Sequence, residues 1–219
     1  TPMDKSGKLI PPRKLHGTHW GYVCCTETPE GQSVGVVTNL SMSCLITIYT
    51  DSQCIIRILE NHGIIKLEDI DRYTFDKSIH TKIFINGNWI GFHMDADKIY
   101  YLLKDYKRKS IINIYTSIYW NIEDNIINLH TDGGRFTRPL FIVTNNKCHY
   151  THEINEKLNN NKYSWNNLIS SVITENDNIG DIISINKKMP KSFTKINKLT
   201  SVVEYVDICE VNNSLICMN

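Results

Sequence analysis

No CxxC occurs in this chain, and its seven cysteines are scattered apart from the adjacent Cys24-Cys25. That argues against a zinc ribbon, and an odd, dispersed set argues against a disulfide framework, so a reducing compartment fits best. Long apolar runs are lacking as well. None approaches the ~20 residues needed to cross a bilayer, and the opening "TPMDKSGKLIPPRKL" has no apolar signal-peptide core. A soluble protein outside the secretory route is expected. Acid is scarce in two places: from Thr1 to Tyr22 only Asp4 faces Lys5, Lys8, Arg13 and Lys14, and Lys187, Lys188, Lys191, Lys195 and Lys198 run with no acid between them. Each stretch could meet a polyanion, although a solvated surface is the plainer reading of a lysine run. A net charge of +1 hides this asymmetry. What is present suffices for a core: 219 residues, 41% hydrophobic and 21% charged, are ordinary usage for one large or two small globular domains, not for a disordered tail. Heavy use of Ile, Asn and Lys reads as nucleotide bias in an AT-rich genome.

Along the chain, Pro2, Gly7, Pro11 and Pro12 among charges read as a loop. "SVGVVTNLSMSCLITIY" is apolar and β-branched up to Tyr49, which predicts a buried strand interrupted near Asn39. Cys54, Ile55, Ile58, Leu59 and His62 recur at helical spacing and stop at Gly63, predicting a short amphipathic helix. "KIFINGNWIGFH" predicts a hairpin about Asn86-Gly87-Asn88. "DADKIYYLLKDYKRKS" has acids in its first turn, cations in its last, and Ile99, Leu102, Leu103 and Tyr106 on one face, the strongest helix signal in the chain. The segment after it alternates through Ile118 and Trp120, turns at Glu123-Asp124-Asn125 and returns, predicting antiparallel strands. "TNNKCHYTHEINEKLNNNKYS" is Asn/Lys-rich and weakly periodic, which predicts a mobile excursion. "SVVEYVDICEVNNSLICMN" predicts two closing strands joined at Asn212-Asn213. The expected fold class is α+β, with mixed or antiparallel sheets and a few short helices.

Chemistry concentrates in "CCTETPEGQ", Cys24 to Gln32. His16, His19, Cys24 and Cys25 look like a ligand set. Successive side chains of an extended chain point to opposite faces, however, so adjacent cysteines rarely aim at one tetrahedral ion, and no zinc is expected. Glu27 and Glu30 could be an acid/base pair, but no third group nearby in the sequence is placed to polarise either, and solvated carboxylates are expected. Pro29, Gly21, Gly31 and Gly35 supply rigidity and special backbone angles beside Arg13, Lys14 and Trp20. Such a corner suits presenting a few side chains to a partner.

The stretch "GKLIPPRKLHGTHWGYVCCTETPEGQSVGVVTNLSM" resembles the fork segment of the second-largest subunit of multisubunit DNA-directed RNA polymerases, whose pattern runs approximately G-K-L-x-x-P-R-x-L-H-x-T-H-W-G-x-V-C-P-x-E-T-P-E-G-Q. In order after it, "LEDI", "IFINGNWIGFH", "YYLLKDYKRKS" and "HTDGGRFTRPLFIV" resemble the external domain that follows, and "VVEYVDICEVNNSLICMN" resembles the segment that closes it. Asn145 to Leu199 carries the resemblance least. Cys25 stands where the family usually has proline, and the tail is lysine-rich where relatives tend to be acidic. His19-Trp20-Gly21, in place of the bacterial His-Tyr-Gly, is nearer the eukaryotic, archaeal and large-DNA-virus subunits, and the AT-rich composition fits a giant DNA virus as source.

The resemblance implies a fork segment over 1–45, an external 2 domain over 46–143, and a variable excursion with closing strands over 144–219. It implies template-directed RNA synthesis by a nucleotidyltransferase whose partners are the largest subunit, the other polymerase subunits, the DNA template, the RNA product and nucleotides. Two Mg2+ ions would be held chiefly by aspartates of the largest subunit. No such Asp-rich loop occurs here, so the chain is expected to be a piece of a longer subunit that binds no metal and alone catalyses nothing. The resemblance places the loop from Asp4 to Pro12 where the DNA strands part, with Lys5, Lys8, Arg13 and Lys14 near nucleic acid. It makes Glu30, the second glutamate of E-T-P-E-G, a carboxylate that orders basic active-site residues supplied from elsewhere in the subunit. For His16, His19 and Trp20, packing and contact both stay open. The expected location is the nucleus for a cellular source, or host cytoplasm or virion for a viral one, with no membrane partner. The rival class is a free-standing basic nucleic-acid-binding or subunit-docking module. Aromatics stacked along a charged groove would mark it, whereas the aromatics here fall mostly at core-like positions.

Overall fold

The computed structural model describes residues 9–69, 80–169 and 201–217. Lys5, Lys8 and the lysine run from Lys187 to Lys198 lie outside the described residues. The Asn-Gly signal marks a real hairpin between β3 (Thr81–Ile85) and β4 (Asn88–His93). Asn86 (φ 50°) and Gly87 (φ 81°) both take left-handed backbone, as a two-residue turn matched to strand twist requires. β5 (Ser117–Asn121) and β6 (Ile126–His130) pair antiparallel, Ile118 opposite Leu129. With β2 (Ile65–Lys66) these strands form one sheet in the order β2-β4-β3-β6-β5. The sheet is mixed. β3 and β6 run parallel, Ile83 opposite Ile127, because the chain crosses over through α2 (Ala96–Arg108) between β4 and β5.

One face of this sheet is the core. Ile83, Ile85, Ile118, Ile127 and Leu129 meet Ile55, Ile58 and Leu59 of α1 (Gln53–Asn61) and Ile99 and Leu103 of α2 in a single cluster. Each such side chain contributes roughly 1.5–3 kcal/mol by leaving water. Both helix signals hold: α1 gives way to Gly63 at φ 86°, and the Asp95 carboxylate accepts the Lys98 N–H at 3.1 Å to start α2.

A second, antiparallel sheet has the order β1 (Leu45–Ile46), β7 (Phe136–Phe141), β10 (Val203–Asp207). Here the structure corrects three expectations. "SVGVVTNLSMSCLITIY" is not a buried strand: only Leu45–Ile46 and a bridge between Val23 and Leu40 pair, and Val34, Val37, Leu40, Ile46 and Ile48 are exposed. The left-handed backbone of Gly31 and Gly35 folds its beginning into a 3-10 turn, Gly31–Ser33, that an extended strand cannot contain. Where weak periodicity predicted a mobile excursion, Asn145 and Asn146 take left-handed angles and turn β8 (Val143–Thr144) into β9 (Lys147–Cys148). Helices α3 (His152–Asn159) and α4 (Trp165–Ile169) follow. Finally, β10 is followed by a helix, α5 (Ile208–Asn212), and not by a second strand. The Asp207 carboxylate accepts the Glu210 N–H at 2.8 Å, an N-cap that ends the strand and turns Glu210 inward.

Candidate functional site

The corner around Arg13 is held by hydrogen bonds that the sequence does not display. Pro11 opens a 3-10 turn over Pro11–Arg13, and the Arg13 guanidinium then reaches across to the next turn, donating from Nη1 to the carbonyls of Gln32 (2.6 Å) and Val34 (3.0 Å). Gly35 sits directly on the Arg13 backbone: a Cβ there would lie 2.2 Å from the Arg13 carbonyl oxygen. Thr28, between the two glutamates, accepts the Gly35 N–H at 2.9 Å and donates its hydroxyl to the Val37 carbonyl at 3.1 Å. Asn39 donates to the Glu27 carbonyl at 3.3 Å, and its own carbonyl accepts the Cys24 N–H at 2.8 Å. The loop "ETPEG" is thus tied at both ends while Glu27, Glu30 and Lys14 remain exposed.

The sequence-predicted residues are therefore not one cluster of like exposure. Arg13 is half-buried and engaged with backbone, whereas Lys14 and Glu30 point their chemistry outward. His16 accepts the Thr18 N–H at 3.3 Å through Nδ1, which caps the turn Gly17–His19. Trp20 is 62% exposed, and His19 is half-buried. Cys24 is half-buried and Cys25 exposed, and hydrogen bonding to Thr26 pulls the Cys24 thiol below its ordinary pKa. Among the described residues, no group of three or more His, Cys, Asp or Glu is arranged to hold a metal ion.

Tyr22 docks the corner on the second sheet. It is 1% exposed and donates its hydroxyl to the Val206 carbonyl of β10 at 3.1 Å, and the Arg138 guanidinium carbon lies 5.3 Å from its ring centre. Burial pushes the Tyr22 hydroxyl well above the ordinary tyrosine range, with Arg138 opposing. Gly21 makes room for that cation: a Cβ there would meet Arg138 Cδ at 2.6 Å.

Behind Tyr22 lies a buried charge network that sequence reasoning missed. Lys104 Nζ donates to Glu204 Oε1 (2.9 Å) and Glu210 Oε1 (2.8 Å), Lys107 Nζ to Glu210 Oε2 (2.8 Å), and Arg108 Nε to Glu204 Oε2 (2.9 Å). Glu210 also accepts the Ile118 N–H at 2.8 Å, covering part of the edge of β5. Asp207 accepts from Arg135 at 3.1 Å, and Arg135 also bonds Asp132 (2.7 Å) and the Tyr115 carbonyl (3.0 Å). Burial alone would raise the Glu204 carboxyl, but Lys104, Lys107 and Arg108 outweigh it and hold it far below the usual carboxylate range. Burial likewise opposes the charge on Lys104, and Glu210 and Glu204 overcome it and hold its pKa above the usual lysine range. A signal existed. Lys104, Lys107 and Arg108 share one face of α2 at helical spacing, and Glu204, Asp207 and Glu210 step by three, yet the cations read as ordinary complements to a helix C-terminus.

Two family models match: RNA polymerase Rpb2, domain 3, over residues 1–46, and RNA polymerase Rpb2, domain 4, over residues 83–144. The RNA polymerase II subunit RPB2 of Encephalitozoon cuniculi is 37% identical over 220 residues, covering 99% of this chain. This chain belongs to the family of second-largest RNA polymerase subunits. Its similarity to other members of that subunit family includes 43% identity to RPB2 of Schizosaccharomyces pombe over 67% of the chain and 32% identity to the DNA-directed RNA polymerase subunit 2 of Acanthamoeba polyphaga mimivirus over 74%. The chain spans 19%, 12% and 13% of the lengths of these three second-largest subunits. The Arg13 corner lies within the domain 3 match, while Glu204 and Glu210 of the charge network lie beyond both matched ranges.

Proposed function

We propose that this chain serves as the fork segment and adjoining external domain of the second-largest subunit in a DNA-directed RNA polymerase, supporting nucleotidyl transfer without supplying its metal ligands. The observation that carries the reading is the tied corner: Arg13, Thr28 and Gly35 lock a loop that presents Glu30 and Lys14 to the outside. Lys5, Lys8 and Lys14 would lie near the DNA strands. Arg13, engaged with the Gln32 and Val34 carbonyls, would act there chiefly by shaping the loop. Glu30 would order basic groups contributed by another part of the subunit. The Mg2+ ions would be held elsewhere in the enzyme, since the buried carboxylates of this chain are matched to its own lysines and arginines. DNA template, RNA product, nucleotides and the largest subunit would be the partners. Identities of 37% and 43% to two eukaryotic RNA polymerase II subunits, against 32% to the mimivirus subunit, support a nuclear enzyme over a viral one.

The test uses assembled polymerase. Arg13→Ala should leave assembly and promoter opening intact but disturb elongation. Glu30→Ala should impair nucleotide use by about tenfold to a hundredfold, the worth of hydrogen bonds to charged groups, with the loss greatest at low nucleotide concentration. Normal elongation by both variants, together with loss of tight DNA binding by the 219-residue chain carrying Arg13→Ala, would instead make this a free-standing nucleic-acid-binding module.

A further inference from the structure

The stretch from Ser33 to Tyr49 has the composition of a buried strand, and this chain does not bury it. Ile46 is 54% exposed, Ile48 82% and Tyr49 64%, with Met42 fully exposed beside them. An exposed apolar run of this size is uncommon on a protein that works alone. The backbone tells the same story. β1 pairs with β7 on one side, Leu45 opposite Thr137 and Ile46 opposite Phe136, and among the described residues no strand flanks it on the other. The Thr47 N–H donates to the Arg135 carbonyl at 2.9 Å, so the antiparallel alternation puts the Leu45 and Thr47 groups toward β7 and turns the Ile46 N–H and C=O away from it. The far edge of this sheet differs: β10 is buried along its whole length. The open edge also lacks the usual protections. From Leu40 to Thr50 there is no charge and no proline, and the outward positions are aliphatic.

We propose that the edge of β1 accepts an extended, apolar segment of the same second-largest subunit from outside these 219 residues, which adds a fourth strand beside Leu45–Ile48 and covers Ile46 and Ile48. The proposal rests on the chain working inside that longer subunit. A partner in the same polypeptide is favoured because the matched relatives devote only 12–19% of their length to this region, leaving most of the subunit to supply a strand at high effective concentration. Two copies pairing through this edge would share the same short ladder without the effective concentration that a covalent link supplies, too little to hold a dimer. Backbone pairing supplies affinity in such an addition, and alternate side chains supply register.

Amide hydrogen exchange on the 219-residue chain and on assembled polymerase tests this directly. The Ile46 amide should exchange freely in the chain alone and on the order of a hundredfold more slowly in the polymerase. A benzophenone side chain in place of Ile48 should crosslink, in the polymerase, to another stretch of its own polypeptide. Ile48→Pro, which removes an edge N–H not needed by β7, should leave the melting temperature of the chain unchanged and abolish the protection at Ile46 in the polymerase. Equal exchange in both settings would overturn the proposal by showing a solvated edge. Crosslinks to another subunit, or a dimer of the isolated chain with Ile46 protected, would overturn it by showing a different occupant. None of these readouts depends on elongation, so failure here leaves the fork reading to its own test.

Discussion

Gly31 and Gly35 lie four residues apart and share left-handed backbone, at φ 84° and 72°, but their surroundings differ. A Cβ on Gly31 would meet nothing within 4 Å, whereas one on Gly35 would strike the Arg13 carbonyl oxygen at 2.2 Å. Gly31→Ala should therefore cost only the backbone term, about 1–2 kcal/mol. Gly35→Ala should cost clearly more, because the obstacle is backbone and cannot swing aside, and moving it also displaces the guanidinium from Gln32 and Val34. Urea midpoints of the two variants check this, and equal losses would mean that the corner relaxes around the new methyl. Proline and glycine placement made a rigid corner readable here. That the arginine is the tie holding it together was not, since its acceptors are backbone carbonyls 19 and 21 residues away.

Between elements, the junction of α2 with β10 and α5 is electrostatic. Glu204 and Glu210 enter the space beside Lys104 and Lys107, which are themselves almost without water. Because the folded Glu204 pKa is depressed, its contribution is fully present above the ordinary glutamate value of about 4.3 and drains away as pH falls below it. Lys104, with a raised folded pKa, contributes below about 10.4 and loses that contribution only as pH climbs beyond it. The urea midpoint should therefore begin to drop as pH falls below the glutamate value. Glu204→Gln should remove much of that acid dependence and lower stability at neutral pH by about 3–5 kcal/mol, the cost of breaking a buried pair from one side. An unchanged acid slope in the variant would assign the dependence to other carboxylates. The hairpin and α2 were legible because a two-residue turn and a capped helix are local. The α5 helix was misread as a strand because "DICEVN" carries a β-like composition that an N-cap on Asp207 overrides.

At the scale of the whole molecule, the Arg13 corner and the second sheet communicate through Tyr22, whose hydroxyl meets β10 one residue before Asp207 joins the charge network. Tyr22→Phe keeps the ring under Arg138 and deletes the bond to Val206, whose carbonyl still faces Arg138 in the β10–β7 ladder, so the cost should be that of one net hydrogen bond, about 0.5–1.5 kcal/mol. If this is the hinge of the corner, hydrogen exchange should quicken at the amides of Cys24 and Ser41, which bridge to Asn39 and Tyr22, before it changes at Ile83 or Ile127 in the core. A uniform increase would mean that corner and core open as one unit. The sequence by itself determined the α+β class, helices α1 and α2, the hairpin, the rigid "ETPEG" corner and the family, because these rest on short-range periodicity, turn chemistry and an ordered motif. Only the tertiary structure decided that β3 and β6 run parallel, that three cations of α2 point inward to carboxylates some 100 residues away, and that an apolar run with strand composition stays uncovered on a sheet edge. Pairing partners and ion pairs depend on which distant segments meet, and neighbouring residues carry no record of that meeting.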